Sequence, residues 1–179
     1  MSRGTKILIY AVILALILLG YVAATKLYDR SLSGEKDEDE FLILPFTAGD
    51  VVAYTWDFEG ETYTVSDRDG DGVWVWDGDP SIELDPSRTH NMQYFATNVY
   101  GVQKIENVEN INEYGITEDQ IGLTYTLKNG EEYELVQGNY NGIVGKYYTM
   151  FTGTDIVYLS DNSFKLEFDC PVDEFFLDK

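Results

Sequence analysis

The sequence predicts an α+β protein in which an N-terminal transmembrane helix precedes antiparallel β-hairpins, or a β-meander, packed against one amphipathic helix. Three observations support this fold class. Residues 7–25 form an uninterrupted apolar run. From residue 50 onward, short segments alternate between apolar and polar side chains and are separated by turn dipeptides. A single stretch, residues 85–101, instead shows the spacing of a helix that is apolar on one face.

The apolar run comes first and carries no charged side chain. At 1.5 Å per residue, a helix of about 19 residues crosses a hydrocarbon core of about 30 Å. The same run, with small residues ending at Ala24, also fits a secretory signal peptide that is cleaved after Ala24. We favour an uncleaved anchor, because Tyr10, Tyr21 and Tyr28 lie near the ends of the run, where interfacial aromatic residues occur.

Arg3 and Lys6 precede the run and predict a cytoplasmic N-terminus, residues 1–6. The expected location is therefore the cell membrane, with a single pass and an extracytoplasmic C-terminal domain. The expected contact with the membrane is through residues 7–25. Both the anchor and the signal-peptide interpretation export the rest of the chain.

The exported part is strongly acidic. The chain has a formal charge of −20, and the residues after the run carry 10 basic and 32 acidic side chains. Such a surface repels nucleic acid, so we expect no nucleic-acid partner. The single cysteine, Cys170, excludes an intramolecular disulfide and is expected to be a small buried side chain.

Composition divides the exported part into three segments. Residues 26–40 end in the acidic sequence EKDEDE and are expected to be a tether, since they contain too little apolar surface to fold. Residues 41–165 have the size of one α+β domain with one core. Residues 166–179 are expected to be an acidic C-terminal tail.

The first β-rich section contains a hairpin. Apolar side chains alternate over residues 52–58, Glu59-Gly60 supplies a turn, and Tyr63 and Val65 continue on the return strand. Residues 73–76, Val-Trp-Val-Trp, predict a strand that is covered on both faces.

The covering element is the predicted helix. Asp85 is a suitable N-cap and Pro86 a suitable first residue. Apolar side chains then recur at helical spacing until Gly101 ends the pattern, at Met92, Phe95, Ala96 and Val99.

A second β-rich section follows a helical turn that is expected to end at Gly115. Residues 123–127 alternate toward Asn129-Gly130, which predicts a two-residue hairpin turn, and the return strand contains Tyr133 and Leu135. Residues 146–151 and 155–159 predict a further pair of strands.

This order of elements carries a family resemblance. The hairpin, the Trp-bearing strand and the Asp-Pro helix are followed by EYGIT (113–117), NGE (129–131), GKYY (145–148) and DIVYL (155–159). Over about residues 48 to 165 the chain resembles the bacterial family called domain of unknown function 4340. The resemblance implies an amino-terminal membrane segment and, for some members, association with export-type transporters. It implies no catalytic residues.

One segment has a ligand pattern. Asp67, Asp69 and Asp71 alternate before Gly72, as in the first half of a calcium loop. The second half departs from an EF-hand, because the expected Glu is Gly78, although Asp77 or Asp79 could substitute. The alternative, which we favour, is a plain Asp/Gly turn without a cofactor.

Catalytic signatures are absent from the sequence. The only histidine, His90, is expected on the solvated helix face, and no nucleophile elbow, zinc pattern or phosphate loop occurs. The three tryptophans have strand spacing and are expected in the core rather than on a glycan-binding surface. The favoured function is a non-enzymatic, membrane-tethered domain that binds or scaffolds envelope or transporter proteins. The alternative is a calcium- or glycan-binding cell-surface domain.

Overall fold

The computed structural model describes residues 40–67, 69–117, 120 and 122–177. They belong to a compact unit, Glu40–Lys179. The expected N-terminus, anchor and tether, apart from Glu40, lie outside the described residues. Within the described ranges no helix combines the length and the apolar character that crossing a bilayer requires.

The described residues form one antiparallel sheet of nine strands with two α-helices, which confirms the β-rich α+β class. The helices are α1 (Pro86–Thr97) and α2 (Ser163–Phe168). The spatial order of the strands is β1-β5-β9-β8-β7-β6-β2-β3-β4. Their bounds are β1 Phe41–Leu42, β2 Val51–Phe58, β3 Glu61–Ser66, β4 Val75–Trp76, β5 Tyr100–Ile105, β6 Leu123–Leu127, β7 Glu132–Asn141, β8 Lys146–Phe151 and β9 Val157–Ser160.

The predicted hairpins are confirmed. Strands β2 and β3 pair around Glu59 and Gly60, whose φ angles of 53° and 86° both lie in the left-handed region that matches the twist of a hairpin. Strands β8 and β9 pair as expected, although β9 begins at Val157 rather than Asp155.

The β6–β7 turn is one residue longer than predicted. The amide of Gly130 donates to the carbonyl oxygen of Leu127, and the amide of Leu127 donates to that of Glu131, which leaves residues 128–130 as the loop. Gly130 alone takes the left-handed conformation, with φ 84°. This is the geometry of a three-residue hairpin loop, in which glycine follows a type I turn.

Helix α1 begins as predicted. The carboxylate of Asp85 accepts a hydrogen bond from the amide of Ser87 at 2.7 Å, and Pro86 occupies the first turn. Met92 and Ala96 are buried against the sheet. The hydroxyl of Tyr125 on β6 donates to the carbonyl oxygen of Ala96 at 2.7 Å and so joins the helix to the sheet.

The helix ends earlier than the sequence indicates. It stops at Thr97, and the following residues become β5, a strand that the pattern did not predict. Val99 is buried, but it lies outside the helix. The reason is that β5 pairs with β9, more than fifty residues later in the chain, and with β1. Local periodicity does not report such distant pairing.

The four-residue strand expected at residues 73–76 is wrong. Val73 is exposed and Trp74 is buried outside any strand. Only Val75 and Trp76 pair, at the outer edge of the sheet, with Val65 and Ser66 of β3.

The expected tail is also wrong for the described residues after 165. Helix α2 and a short 3₁₀ helix (Val172–Phe175) bury Phe168, Val172 and Phe175 in the main core. The indole Nε1 of Trp56 donates to the carbonyl oxygen of Cys170 at 2.9 Å. This segment is therefore part of the domain, and it adds a second helix to the one predicted.

The core has two parts. The main cluster joins the sheet to both helices and to the C-terminal segment. A smaller cluster contains Ile116, Val136, Met150 and Val157. It is completed by the connector that contains the predicted helical turn, which runs from Ile111 to Tyr114 and ends at Gly115 with φ 72°.

Candidate functional site

The predicted calcium segment forms the connection between β3 and β4. Asp67 Oδ2 accepts a hydrogen bond from the amide of Gly72 at 3.2 Å, and Asp71 Oδ1 accepts one from the amide of Val73 at 2.9 Å. Gly70 and Gly72 have left-handed φ angles of 69° and 86°. Two of the three predicted ligands therefore brace the backbone of the turn, as aspartates do in turns without a metal.

The other two aspartates proposed as substitutes are also occupied. Asp77 Oδ1 accepts a hydrogen bond from the hydroxyl of Ser66. Asp79 Oδ1 accepts from both the hydroxyl and the amide of Ser81, and these bonds lower the pKa of the Asp79 carboxyl. Among the described residues, no three Asp, Glu, His or Cys side chains are gathered closely enough to hold a metal ion. Calcium binding at Asp67, Asp69 and Asp71 stays a prediction.

Asp67 nevertheless has an unusual environment. Its Oδ1 is buried and makes no hydrogen bond to any described residue. The same side chain lines a solvent-open cavity of about 320 Å³ between the turn, α1 and the β6–β7 loop. Tyr54 and Trp74 stack beside it with ring centroids 5.1 Å apart. The cavity is lined by Ala48, Gly49, Val51, Tyr54, Asp67, Gly72, Trp74, Gln93, Thr97 and Lys128.

Two side chains of opposite charge, Asp67 and Lys128, line the cavity. Lys128 is exposed and donates from Nζ to the carbonyl oxygen of Gly49 at 2.8 Å, which holds its ammonium at the rim. An ammonium, a carboxylate and an aromatic wall together suit a small polar ligand. Sequence reasoning found Asp67 but missed Lys128, because the two residues reach the same cavity only through the β2–β6 pairing.

The tryptophans behave as expected of core residues. Trp56 and Trp74 are buried, and Trp76 is half-buried against the ring of Phe176, with centroids 5.5 Å apart. None of the three forms an open platform for a sugar ring.

Among the described residues outside the turn, the histidine and the cysteine are not activated as nucleophiles. His90 is exposed on α1, as predicted. Burial raises the pKa of the Cys170 thiol to about 11, although Arg88 opposes the shift. Because the thiolate is the reactive form, a raised pKa makes this side chain less nucleophilic than a free cysteine.

No known protein family, no curated protein and no solved structure matches this chain. The resemblance to domain of unknown function 4340 stays an expectation from the sequence motifs.

Proposed function

We propose that the chain is a non-enzymatic, membrane-tethered extracytoplasmic domain that binds or scaffolds envelope proteins, and that an export-type transporter is one such partner. The uncharged run at residues 7–25 supports a single-pass transmembrane helix with a cytoplasmic N-terminus. The acidic exported part supports solubility outside the membrane and makes nucleic acid an unsuitable partner.

The observation that carries the binding role is the open outer edge of β5. Strand β1 contributes only two residues and pairs with Tyr100 and Gly101. Within the described part of the chain, residues 102–105 therefore have a strand neighbour, β9, on one side only. Such an edge presents backbone donors and acceptors to an extended segment of a partner, which can add to the sheet as another strand.

Side chains on this edge limit indiscriminate pairing. Gln103 is exposed, and Lys104 forms an ion pair with Glu106. Charged side chains on an edge strand disfavour contact with arbitrary strands, so the edge is suited to a partner with matching charges.

Site-specific photo-crosslinking in native membranes tests this role. A photoreactive residue at Gln103 is expected to capture a defined envelope protein that co-purifies after solubilisation. The matched control is Glu132, which is also exposed but starts β7, an interior strand. Equal capture from both positions contradicts the proposal. So does the absence of capture from Gln103 in cells whose function, as lost on deletion of the whole gene, is preserved when only residues 7–25 are deleted.

A second candidate function is binding of calcium or a glycan at the β3–β4 turn and its cavity. The buried Oδ1 of Asp67, which has no hydrogen-bond partner among the described residues and lies beside that cavity, favours it. Calorimetry with calcium chloride tests the metal version, with Asp69→Asn as the variant because Asp69 is exposed. Absence of heat in both proteins would exclude it.

A further inference from the structure

The turn between β7 and β8 exposes apolar side chains. We call residues 140–146 the β7–β8 tip. Ile143 is 97% exposed, and Tyr140 and Val144 are 56% and 43% exposed. Burying an isoleucine side chain away from water contributes about 1.5–3 kcal/mol to stability. Because Ile143 is almost completely exposed, it contributes almost none of this to the isolated domain.

The tip has a defined conformation. Asn141 Oδ1 accepts hydrogen bonds from the amides of Ile143 and Val144, at 3.0 and 3.2 Å. Gly145 takes a left-handed φ of 75°, and its amide donates to the carbonyl oxygen of Asn141. The turn therefore presents Ile143 and Val144 at the apex without depending on contacts of their side chains.

The tip lies in a stretch without acidic side chains, as do residues 86–105 of the same domain. Residues 135–154 contain no Asp or Glu in a chain that has 32 acidic side chains, and their one charged residue is Lys146. Tyr140 and Tyr147 pack together at the base of the tip, with ring centroids 5.0 Å apart. Exposed apolar residues together with tyrosines are the composition of a protein surface at a membrane interface.

The described domain begins at the same end of the sheet. Lys146 Nζ lies 3.4 Å from Oε1 of Glu40, the first described residue. Phe41 and Leu42 of β1, which follow, are also partly exposed. Strand pairing brings Phe41 into one row across the sheet with Tyr140, through the partners Gly101, Ser160 and Tyr147. The exposed apolar residues of β1 and of the tip thus share the end at which the chain enters the domain.

From these observations we propose that the β7–β8 tip inserts into the interfacial layer of a lipid bilayer. Ile143 and Val144 enter the boundary of the acyl chains and the tyrosines lie at the level of the headgroups, while Lys146 keeps its ion pair with Glu40. The inference rests on the proposed function, because the segment before Glu40 must hold the domain at a membrane. Lipid suits a projecting two-strand turn better than a protein groove does, since a bilayer accepts an apolar apex without a shaped pocket.

The test uses the full chain reconstituted in phosphatidylcholine vesicles. An environment-sensitive fluorophore is attached to Ile143→Cys, or to Glu132→Cys as the matched control, both in a Cys170→Ser background. Glu132 and Asn141 are the two ends of β7, so the control lies about 30 Å from the tip. We expect a shift to shorter emission wavelength, and quenching by lipids that carry a nitroxide on the acyl chain, at position 143 but not at 132.

A third protein identifies the cause of the shift. Adding Val144→Asp to the protein labelled at 143 is expected to abolish the shift, because a carboxylate opposes insertion; Val144 is exposed, so the fold is not at risk. Equal, water-like emission at 143 and 132 would overturn the inference. A shift that disappears when the protein is diluted into excess lipid would also overturn it, since that result indicates contact between copies of the chain.

Anchoring is read separately, as retention of the unlabelled chain on the vesicles after an alkaline carbonate wash. Retention with water-like emission at position 143 refutes the tip inference alone. Loss of the chain in the wash refutes the proposed transmembrane anchor, residues 7–25, and the inference that rests on it.

Discussion

Replacing Phe175 with alanine tests whether the C-terminal segment is part of the core. The side chain is fully buried and packs against the indole of Trp56, with ring centroids 5.7 Å apart. The guanidinium of Arg88 lies over the Phe175 ring, 5.2 Å from the ring centroid. The substitution removes these contacts and leaves the backbone hydrogen bond from Asp85 to the Phe175 carbonyl oxygen in place.

The expected loss follows from these contacts. Exposing a buried phenylalanine costs about 2–3 kcal/mol, and losing an aromatic pair adds about 1 kcal/mol. The void left by the deleted ring collapses only in part, which brings the expected loss of unfolding free energy to about 4 kcal/mol. This lies within the range of about 3–5 kcal/mol typical of this substitution in cores.

Urea unfolding of residues 40–179, followed by tryptophan fluorescence, measures the loss. With an m-value of about 2 kcal/mol per molar urea, the midpoint is expected to fall by about 2 M. The control is Leu166→Ala on α2, where the side chain is 64% exposed and the expected change is below about 0.5 kcal/mol. If the two variants unfold at the same urea concentration, the C-terminal residues do not pack as described and the expectation of a tail is restored.

Three further predictions concern a carboxyl, a thiol and a glycine. Burial raises the pKa of Glu167, whose Oε1 has no hydrogen-bond partner among the described residues, so the charged form costs stability as pH rises. Glu167→Gln should therefore match the wild type in urea unfolding at about pH 3 and be more stable at about pH 7, and a difference independent of pH would contradict this. With a thiol pKa of about 11, Cys170 should react with iodoacetamide at about pH 8 at least roughly tenfold more slowly in the native domain than in urea; equal rates would argue against its burial. Gly138→Ala should cost about 2 kcal/mol or more in thermal unfolding, because a Cβ there would overlap the carbonyl oxygen of Tyr114. Gly142→Ala, whose Cβ would have its nearest neighbour at 4.0 Å, is the control and should leave the melting temperature nearly unchanged.

Elements that depend only on residues close together in the sequence were predicted well. The β2–β3 hairpin needs only Glu59-Gly60 and the alternation on both sides, and α1 needs only Asp85-Pro86 and its helical spacing. For the candidate site, the sequence identified Asp67 and the turn. It did not identify Lys128 or the cavity, because these depend on which strands become neighbours in the sheet.

The sequence by itself determined the β-rich α+β class, the acidic character of the chain after residue 25, the two clearest hairpins and the capped helix. Their causes are local: backbone preferences at turns, a capping carboxylate and the periodicity of apolar residues. Only the tertiary structure decided that β5 is a strand, that the C-terminal residues close the core, and that the β7–β8 tip lies at the end where the domain begins. Each of these depends on pairing or burial between residues far apart in the chain, and no short window of sequence records the free energy of such contacts.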